Sequence, residues 1–292
     1  MTGSRTKGLT AFQIKVIALV CMTLDHIASF GFEIPVVARY DTYLRAVGRI
    51  AAPLFLFLLA ESVRHTKSKP KFVLRLYLAG MGVGLFDAAM NLFFGDVLGY
   101  RTPGNIIFTF FYAALHIVLI EGVICAWQDR YFRKVALLSC VLILSLIPSI
   151  FFNAIYHAVP MGDSMASWII PQQLRSSLIP SFYDVDYGIG LVVLGVVFYF
   201  VKTKKRQCCV FALFCLLCVI GAIVGRYHYN IYRVSLFGFT NTFLDFFQCR
   251  MVLALPFMAL YNGERGRGYK WFFYGYYPLH RQLIVIISAL VT

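Results

Sequence analysis

The chain has 292 residues, of which 60% are hydrophobic, 17% aromatic and only 14% charged, and its mean hydropathy is +0.74. A soluble domain carries about 25% charged residues, so this composition excludes a soluble globular protein. It predicts an all-α, polytopic transmembrane helix bundle in a lipid bilayer, with residues 1–292 forming a single domain.

Nine segments are long and apolar enough to cross a bilayer. In chain order they are residues 14–32, 44–62, 72–94, 104–125, 135–152, 182–201, 208–225, 243–261 and 271–289. Residues 226–242 are too polar for an ordinary span, so an interfacial piece, a re-entrant piece and a tenth crossing all stay open there. The first span is not a signal peptide, because further spans follow it and no small-residue cleavage site does.

The net charge of +14 is distributed over alternate connections. Basic residues cluster in residues 5–15, 64–75, 130–134, 202–206 and 265–270, whereas the intervening connections carry few. This is the positive-inside pattern, and it predicts a cytoplasmic N-terminus and an external C-terminus. The surplus charge therefore reports topology, and nucleic acid is not an expected partner.

The eight cysteines show no ligand spacing. Cys215 and Cys218 lie inside an apolar span with no second pair and no nearby histidine, which indicates packing. No metal is expected.

Polar and charged side chains interrupt the spans at similar depth. With a rise of about 1.5 Å per residue, His26 lies about 18 Å from the inner edge, and Arg49 and Asp87 lie about 8 Å from the outer edge. By the same arithmetic, His280 lies about 15 Å from the inner edge, near mid-membrane. The members of this polar layer are Asp25, His26, Arg49, Asp87, Asn105, Asp184, Asp186, Gln248 and Arg250.

Each member of the polar layer also has a purely structural explanation. Asp25 and Asp87 could be ion-pair partners of Arg49 and Arg250, because a buried charge is costly unless it is paired. An amide such as Gln248 commonly bridges helices. Structural pairs alone do not require an acid, a histidine, amides and arginines at one depth, so the layer predicts a functional site in the outer half of the bilayer.

Six segments occur in an order typical of a known family: KVIALVCMTLDHIASF, LRAVGRIAAPLFLFLLAESVRHT, NIIFTF, DVDYGI, ALPFMALYNGERG and FFYGYYPLH. The set resembles the TraX family of bacterial membrane proteins over about residues 13–284. The name-giving member of that family N-acetylates the pilin of the F conjugative pilus. The resemblance implies a multi-pass protein of the bacterial cytoplasmic membrane that uses acetyl-CoA as co-substrate.

The resemblance also implies site residues. His26 is the implied catalytic histidine, either as general base or as carrier of the acetyl group, and Arg49 belongs to the second-span motif. In the reaction that the polar layer and the resemblance together predict, Asp25 holds the geometry and Arg49 stabilises the oxyanion of acyl transfer. Glu61, Arg64 and His65 belong to the second-span motif, and these three residues with His280 are expected to hold the coenzyme. The residues expected to bind the acceptor are Asp87, Asn105, Asp184, Asp186, Gln248 and Arg250.

The acceptor is an extracytoplasmic amine or hydroxyl, and a pilin or exported peptide N-terminus, a glycan and a lipid headgroup all stay open. Two other classes of membrane protein stay open. A transporter or flippase often shows inverted repeats, and this sequence has none that we detect. A non-catalytic subunit of a pilus or secretion system would not need a converging polar layer.

Overall fold

The computed structural model describes residues 8–99, 104–149, 151, 164–182, 184–227 and 246–291. Within these ranges the regular structure is helical, which confirms the predicted all-α class, and an isolated β-bridge joins Leu9 to Tyr261. The helices are α1 (Ala11–Phe30), α2 (Pro35–Gly48), α3 (Ala51–Arg64), α4 (Lys69–Leu98), α5 (Ile106–Gln128), α6 (Phe132–Leu144), α7 (Met165–Leu178), α8 (Gly188–Phe200), α9 (Lys204–Tyr227), α10 (Phe246–Cys249), a 3-10 helix (Arg250–Ala254), α11 (Leu255–Ala259) and α12 (Lys270–Val291).

Six helical stretches of the described chain are long and apolar enough to cross a membrane, which makes this a helical membrane protein. They are Ala11–Phe30, Pro35–Arg64, Lys69–Leu98, Ile106–Gln128, Phe132–Ser149 and Lys204–Ile223. Two shorter apolar helices cover Gly188–Phe200 and Arg250–Ala259. Nine crossings with a cytoplasmic N-terminus therefore stay a prediction, and residues 228–242 of the polar segment lie outside the described residues.

The second predicted span, residues 44–62, differs most from the structure. The helical stretch begins earlier, at Pro35, and it breaks in a turn at Arg49 and Ile50. Pro53 explains the break, because a proline ring clashes with the carbonyl four residues before it, here that of Arg49. Arg49 is consequently a residue of the turn that closes α2 rather than the middle of a continuous helix.

Three other boundaries depart from the predicted ones. The helix expected over residues 182–201 begins only at Gly188, after a turn in which Tyr187 has a φ of 63°. In the segment 243–261, the described chain is broken by the 3-10 helix that precedes Pro256, where the proline again removes a helical hydrogen bond. Helix α7 lies within the connection 153–181, which was not predicted to be helical.

The chain divides into two compact units. Of the described residues, the first unit comprises those within 8–58, 200–227 and 246–291, and in it α1 packs against α2 and α12. The second unit comprises the described residues within 59–199, and in it α4 packs against α5 and α7 while α5 also packs against α6. Each unit contains part of the predicted polar layer.

A short tertiary contact fixes the start of α1 in the first unit. Thr10 caps the helix in a capping box with Gln13, and the backbone N–H of Leu9 donates to the carbonyl of Leu260. Gly266, at φ 68°, lies so close to the Thr10 side chain that a Cβ there would clash. The segment YNGERG therefore holds the end of the helix that carries His26.

Candidate functional site

The two histidines of the first unit lie side by side. His26 of α1 and His280 of α12 have Nδ1 and Nε2, respectively, 2.6 Å apart, and their ring planes are nearly parallel with centroids 4.8 Å apart, so the two rings meet edge to edge. His280 also directs its Nδ1 at the carbonyl oxygen of Tyr276, at 2.7 Å. The sequence predicted that His26 would meet groups from other helices, and this is confirmed, although His280 was expected at the coenzyme.

Other side chains of α12 pack next to this histidine pair. Tyr276 stacks on His280 with ring centroids 4.7 Å apart, and its hydroxyl lies 2.8 Å from that of Thr23 in α1. Arg281 is 1% exposed, and its guanidinium lies over the ring of Tyr277. Sequence reasoning missed Arg281, although a buried arginine beside a histidine in an apolar helix is itself a functional signal.

Asp25 and Arg49 form an ion pair in the first unit. The Nη2 of Arg49 donates to Oδ1 of Asp25 at 3.0 Å, and the two side chains are only 11% and 15% exposed. The alternative that Asp25 pairs with Arg49 is therefore confirmed. Asp25 and His26 are adjacent on a helix, so their side chains diverge and contact different neighbours. Gly48 permits the contact, because a Cβ at this position would overlap the Asp25 side chain.

Two arginines place positive charge near His26. The guanidinium groups of Arg281 and Arg49 both lie within electrostatic reach of its imidazole, and the ring itself is half-buried. A site with this charge is suited to an anionic group that forms next to a histidine.

The eighth predicted span, residues 243–261, places two of the predicted acceptor-binding residues in the first unit. Arg250 donates from Nη1 to the carbonyl oxygen of Thr42 at 3.1 Å. Gln248 is buried, and its Oε1 has no hydrogen-bond partner among the described residues. An acceptor-binding role for both residues stays a prediction.

The second unit contains a polar cavity of about 240 Å³. It brings together three of the predicted acceptor-binding residues, Asp87, Asn105 and Asp184. The other lining residues are Gly84, Gly104, Phe108, Gln172, Gln173, Ser176 and Ser177. Sequence reasoning missed the contribution of α7, although the polar run PQQLRSS is unusual in so apolar a chain.

Several groups around the cavity are already bonded within the protein. Asn105 caps α5 as predicted, with its side-chain oxygen accepting from the Ile107 N–H, and its amide donates to the Gly80 carbonyl. Asp184 forms two 2.7 Å hydrogen bonds with the guanidinium of Arg175. The buried Oε1 of Gln172 has no hydrogen-bond partner in the described ranges, so the cavity offers at least one acceptor to a ligand.

Asp186, the fourth predicted acceptor-binding residue of this unit, has a different setting. Its carboxylate packs against Gly104, where any Cβ would clash, and its carbonyl accepts from the hydroxyl of Thr109. Asp186 is not one of the residues that line the cavity.

The second-span motif is engaged in helix contacts. Arg64 pairs with Glu61 and donates to the carbonyl oxygens of Phe198 and Tyr199, both at 2.6 Å, which closes the C-terminal end of α8. His65, in contrast, is 81% exposed. A coenzyme-binding role for these motif residues stays a prediction.

A second ion pair lies near this motif. Lys69 donates to Glu121 at 2.7 Å and to the hydroxyl of Tyr199 at 2.8 Å. Glu121 of α5 is therefore paired with a cation at the start of α4.

Metal-ligating side chains do not cluster in the part of the chain that the structure describes, where no three His, Cys, Asp or Glu residues are placed to hold an ion. The cysteines at 215 and 218 are buried and free, which is the packing arrangement that the sequence indicated.

Comparison with known proteins gives a family. The chain is 26% identical over 288 residues to the probable fimbrial assembly protein FimC, serogroup H1, of Dichelobacter nodosus. The matched region covers 96% of this chain and 96% of that protein. It is 24% identical over 250 residues to an uncharacterized protein of Rickettsia prowazekii (strain Madrid E), covering 85% of this chain and 74% of that protein. No solved structure matches. The TraX protein family matches residues 11–288, a range that includes both histidines of the pair, and the chain therefore belongs to the TraX family.

Proposed function

We propose that this protein is a membrane-embedded acetyltransferase of the bacterial cytoplasmic membrane, with its N-terminus in the cytoplasm. It moves an acetyl group from cytosolic acetyl-CoA to an amine or hydroxyl on the extracytoplasmic side. The observation that carries the proposal is the contact between His26 and His280 at 2.6 Å, inside an apolar bundle and next to buried arginines. A histidine in lipid gives no packing that leucine could not give, whereas it can transfer protons at neutral pH.

The reaction uses His26 as general base. Its imidazole takes the proton of the acceptor as the acceptor nitrogen or oxygen forms a bond to the thioester carbonyl carbon. The carbonyl electron pair moves onto oxygen, and the resulting oxyanion is stabilised by the guanidinium of Arg49. Collapse of the intermediate breaks the carbon–sulfur bond, and the departing thiolate takes the proton from His26.

Arg49 suits this role because Asp25 fixes its orientation. The Asp25 carboxylate holds Nη2 at 3.0 Å, and a guanidinium carries five N–H donors in a rigid plane. Arg281 adds a second positive charge near the same imidazole.

The coenzyme is expected at the basic connections. Arg64 and Lys69 are engaged within the protein, so the exposed Lys67 and Lys71 are better placed for the phosphates of acetyl-CoA. The exposed run 202–206 offers further positive charge.

The polar cavity of the second unit is proposed to bind the acceptor. Gln172 offers a buried oxygen, and Asp87 contributes a buried carboxylate, so the cavity favours a ligand with N–H or O–H donors. The name of the Dichelobacter relative concerns fimbrial assembly, which favours a pilin-like exported peptide over a glycan or a lipid headgroup.

The test is mass spectrometry of exported peptides and envelope glycans from cells with and without the protein, seeking the added mass of one acetyl group. Purified protein in vesicles is then assayed with acetyl-CoA and the acetylated species found. His26→Gln should abolish transfer but not acetyl-CoA binding, because an amide cannot accept the proton. His116→Gln is the control, since His116 is also a half-buried histidine of an apolar helix but lies outside the proposed catalytic pair, with its Nδ1 at the carbonyl oxygen of Tyr112. Near-normal turnover of His26→Gln would refute the assignment.

A non-catalytic role in pilus assembly is the second candidate, and the name of the Dichelobacter relative favours it. It predicts that pili are lost without the protein, that no acetylated species disappears, and that His26→Gln restores assembly fully.

A further inference from the structure

We infer that His280 is a positioning residue that sets the tautomer of His26, so that the Nε2 atom of His26 carries the lone pair. The catalytic consequence of this arrangement rests on the proposed acetyltransferase function. The arrangement itself rests on the geometry of three groups: the Tyr276 carbonyl, His280 and His26.

The Tyr276 carbonyl determines where the proton of His280 lies. A carbonyl oxygen can only accept a hydrogen bond, and it is 2.7 Å from Nδ1 of His280. Nδ1 must therefore carry the hydrogen. A neutral imidazole has one N–H, so Nε2 of His280 is an acceptor.

His280 in turn determines where the proton of His26 lies. The acceptor Nε2 of His280 is 2.6 Å from Nδ1 of His26, so this Nδ1 must donate. The lone pair of His26 is then on Nε2, and this atom has no hydrogen-bond partner among the described residues. The basic nitrogen of the proposed reaction is thus the one that does not contact His280.

The surroundings hold His280 in place. The side chain is 6% exposed, and its ring stacks on that of Tyr276 and meets that of His26 edge to edge.

This arrangement keeps the Nδ1 proton on His26 during the reaction. When Nε2 of His26 takes the acceptor proton, the Nδ1–H bond to His280 remains and stabilises the imidazolium that forms. The proton then leaves from Nε2 to the departing thiolate, and no proton passes to His280. His280 here does what the third member of a catalytic triad does for its histidine, without a carboxylate.

The first test is ¹⁵N NMR of the full-length protein in nanodiscs with labelled histidine, assigned by His26→Gln and His280→Gln. We expect the protonated nitrogen of His26 to be Nδ1 at neutral pH. A protonated Nε2 on neutral His26 would overturn the inference. This measurement needs no acetyl transfer, so a protein that acetylates nothing would refute the proposed function and leave the tautomer to be decided by the spectrum.

The second test compares two substitutions of His280 in the transfer assay. His280→Gln places an amide oxygen near the former Nε2 and can still accept from His26, whereas His280→Phe keeps an aromatic ring that can stack on Tyr276 and offers no acceptor. We expect His280→Phe to lose about a hundredfold or more in kcat, and His280→Gln to lose much less. A purely structural role through stacking predicts the reverse order, and that order would overturn the inference.

Discussion

The ion pair between Asp25 and Arg49 gives the sharpest stability prediction. Asp25→Asn keeps the size and shape of the side chain but leaves the Arg49 guanidinium without its buried counter-charge. Removing one partner of a buried pair costs about 3–5 kcal/mol, because the other charge stays buried and uncompensated. The pair qualifies as buried, since its side chains are only 15% and 11% exposed.

A double-mutant cycle measures this interaction. Asp25→Asn and Arg49→Gln should each lower the free energy of unfolding, whereas the double variant should be more stable than the sum of the single effects by about 2–3 kcal/mol. The assay is denaturant unfolding in mixed micelles, followed by circular dichroism. Additive single effects would refute the argument, because they would mean that the carboxylate and the guanidinium do not interact.

A matched control for this cycle lies on α2, the helix that Arg49 follows. Asp41 and Arg45 form an ion pair at 2.9 Å on α2, but their side chains are 33% and 32% exposed. The same cycle at this pair should yield a coupling of only about 0.3–0.5 kcal/mol. Equal coupling at both pairs would show that burial does not set the strength of the first.

Three further predictions concern single positions. Gly48→Ala should lower the free energy of unfolding by about 1–3 kcal/mol, because the new methyl group displaces the Asp25 side chain; unchanged stability would contradict the close approach of α1 and α2. Arg49→Lys should lower acetyl transfer about a hundredfold while the protein still inserts, because lysine lacks the planar fork; full activity would leave Arg49 an ion-pair partner only. Arg64→Ala should increase hydrogen exchange at the C-terminal end of α8, where the arginine binds two carbonyls, and normal protection there would contradict a capping role.

The sequence predicted the long helices well, since each is an apolar run with readable ends. The first predicted span, 14–32, corresponds to α1, which begins after the capping residue Thr10 and ends before Gly31. The breaks were harder to predict. Pro53 and Pro256 signal interruptions, but apolar segments of sufficient length conceal them, and a helix of 14 residues such as α7 is too short for a span-length criterion.

The candidate site was predicted unevenly, for a physical reason. Charges in lipid require partners, so the pairing of Asp25 with Arg49 could be anticipated from the cost of burial alone. The contact between His26 and His280 joins residues 254 positions apart, and no local pattern determines which two helices meet. The involvement of α7 in the polar cavity likewise depends on its packing against α4.

Glycine positions explain how the polar groups come so close in both units. In the first unit, Gly48 leaves room for the Asp25 side chain against α2. In the second, Gly84 of α4 faces Ser177 of α7 at the cavity, and a Cβ there would clash with its hydroxyl. Lipid supplies no hydrophobic force that presses helices together, so small residues that allow backbone approach decide which helices associate. A glycine in an apolar span is therefore as informative about the site as the charged residue it accommodates.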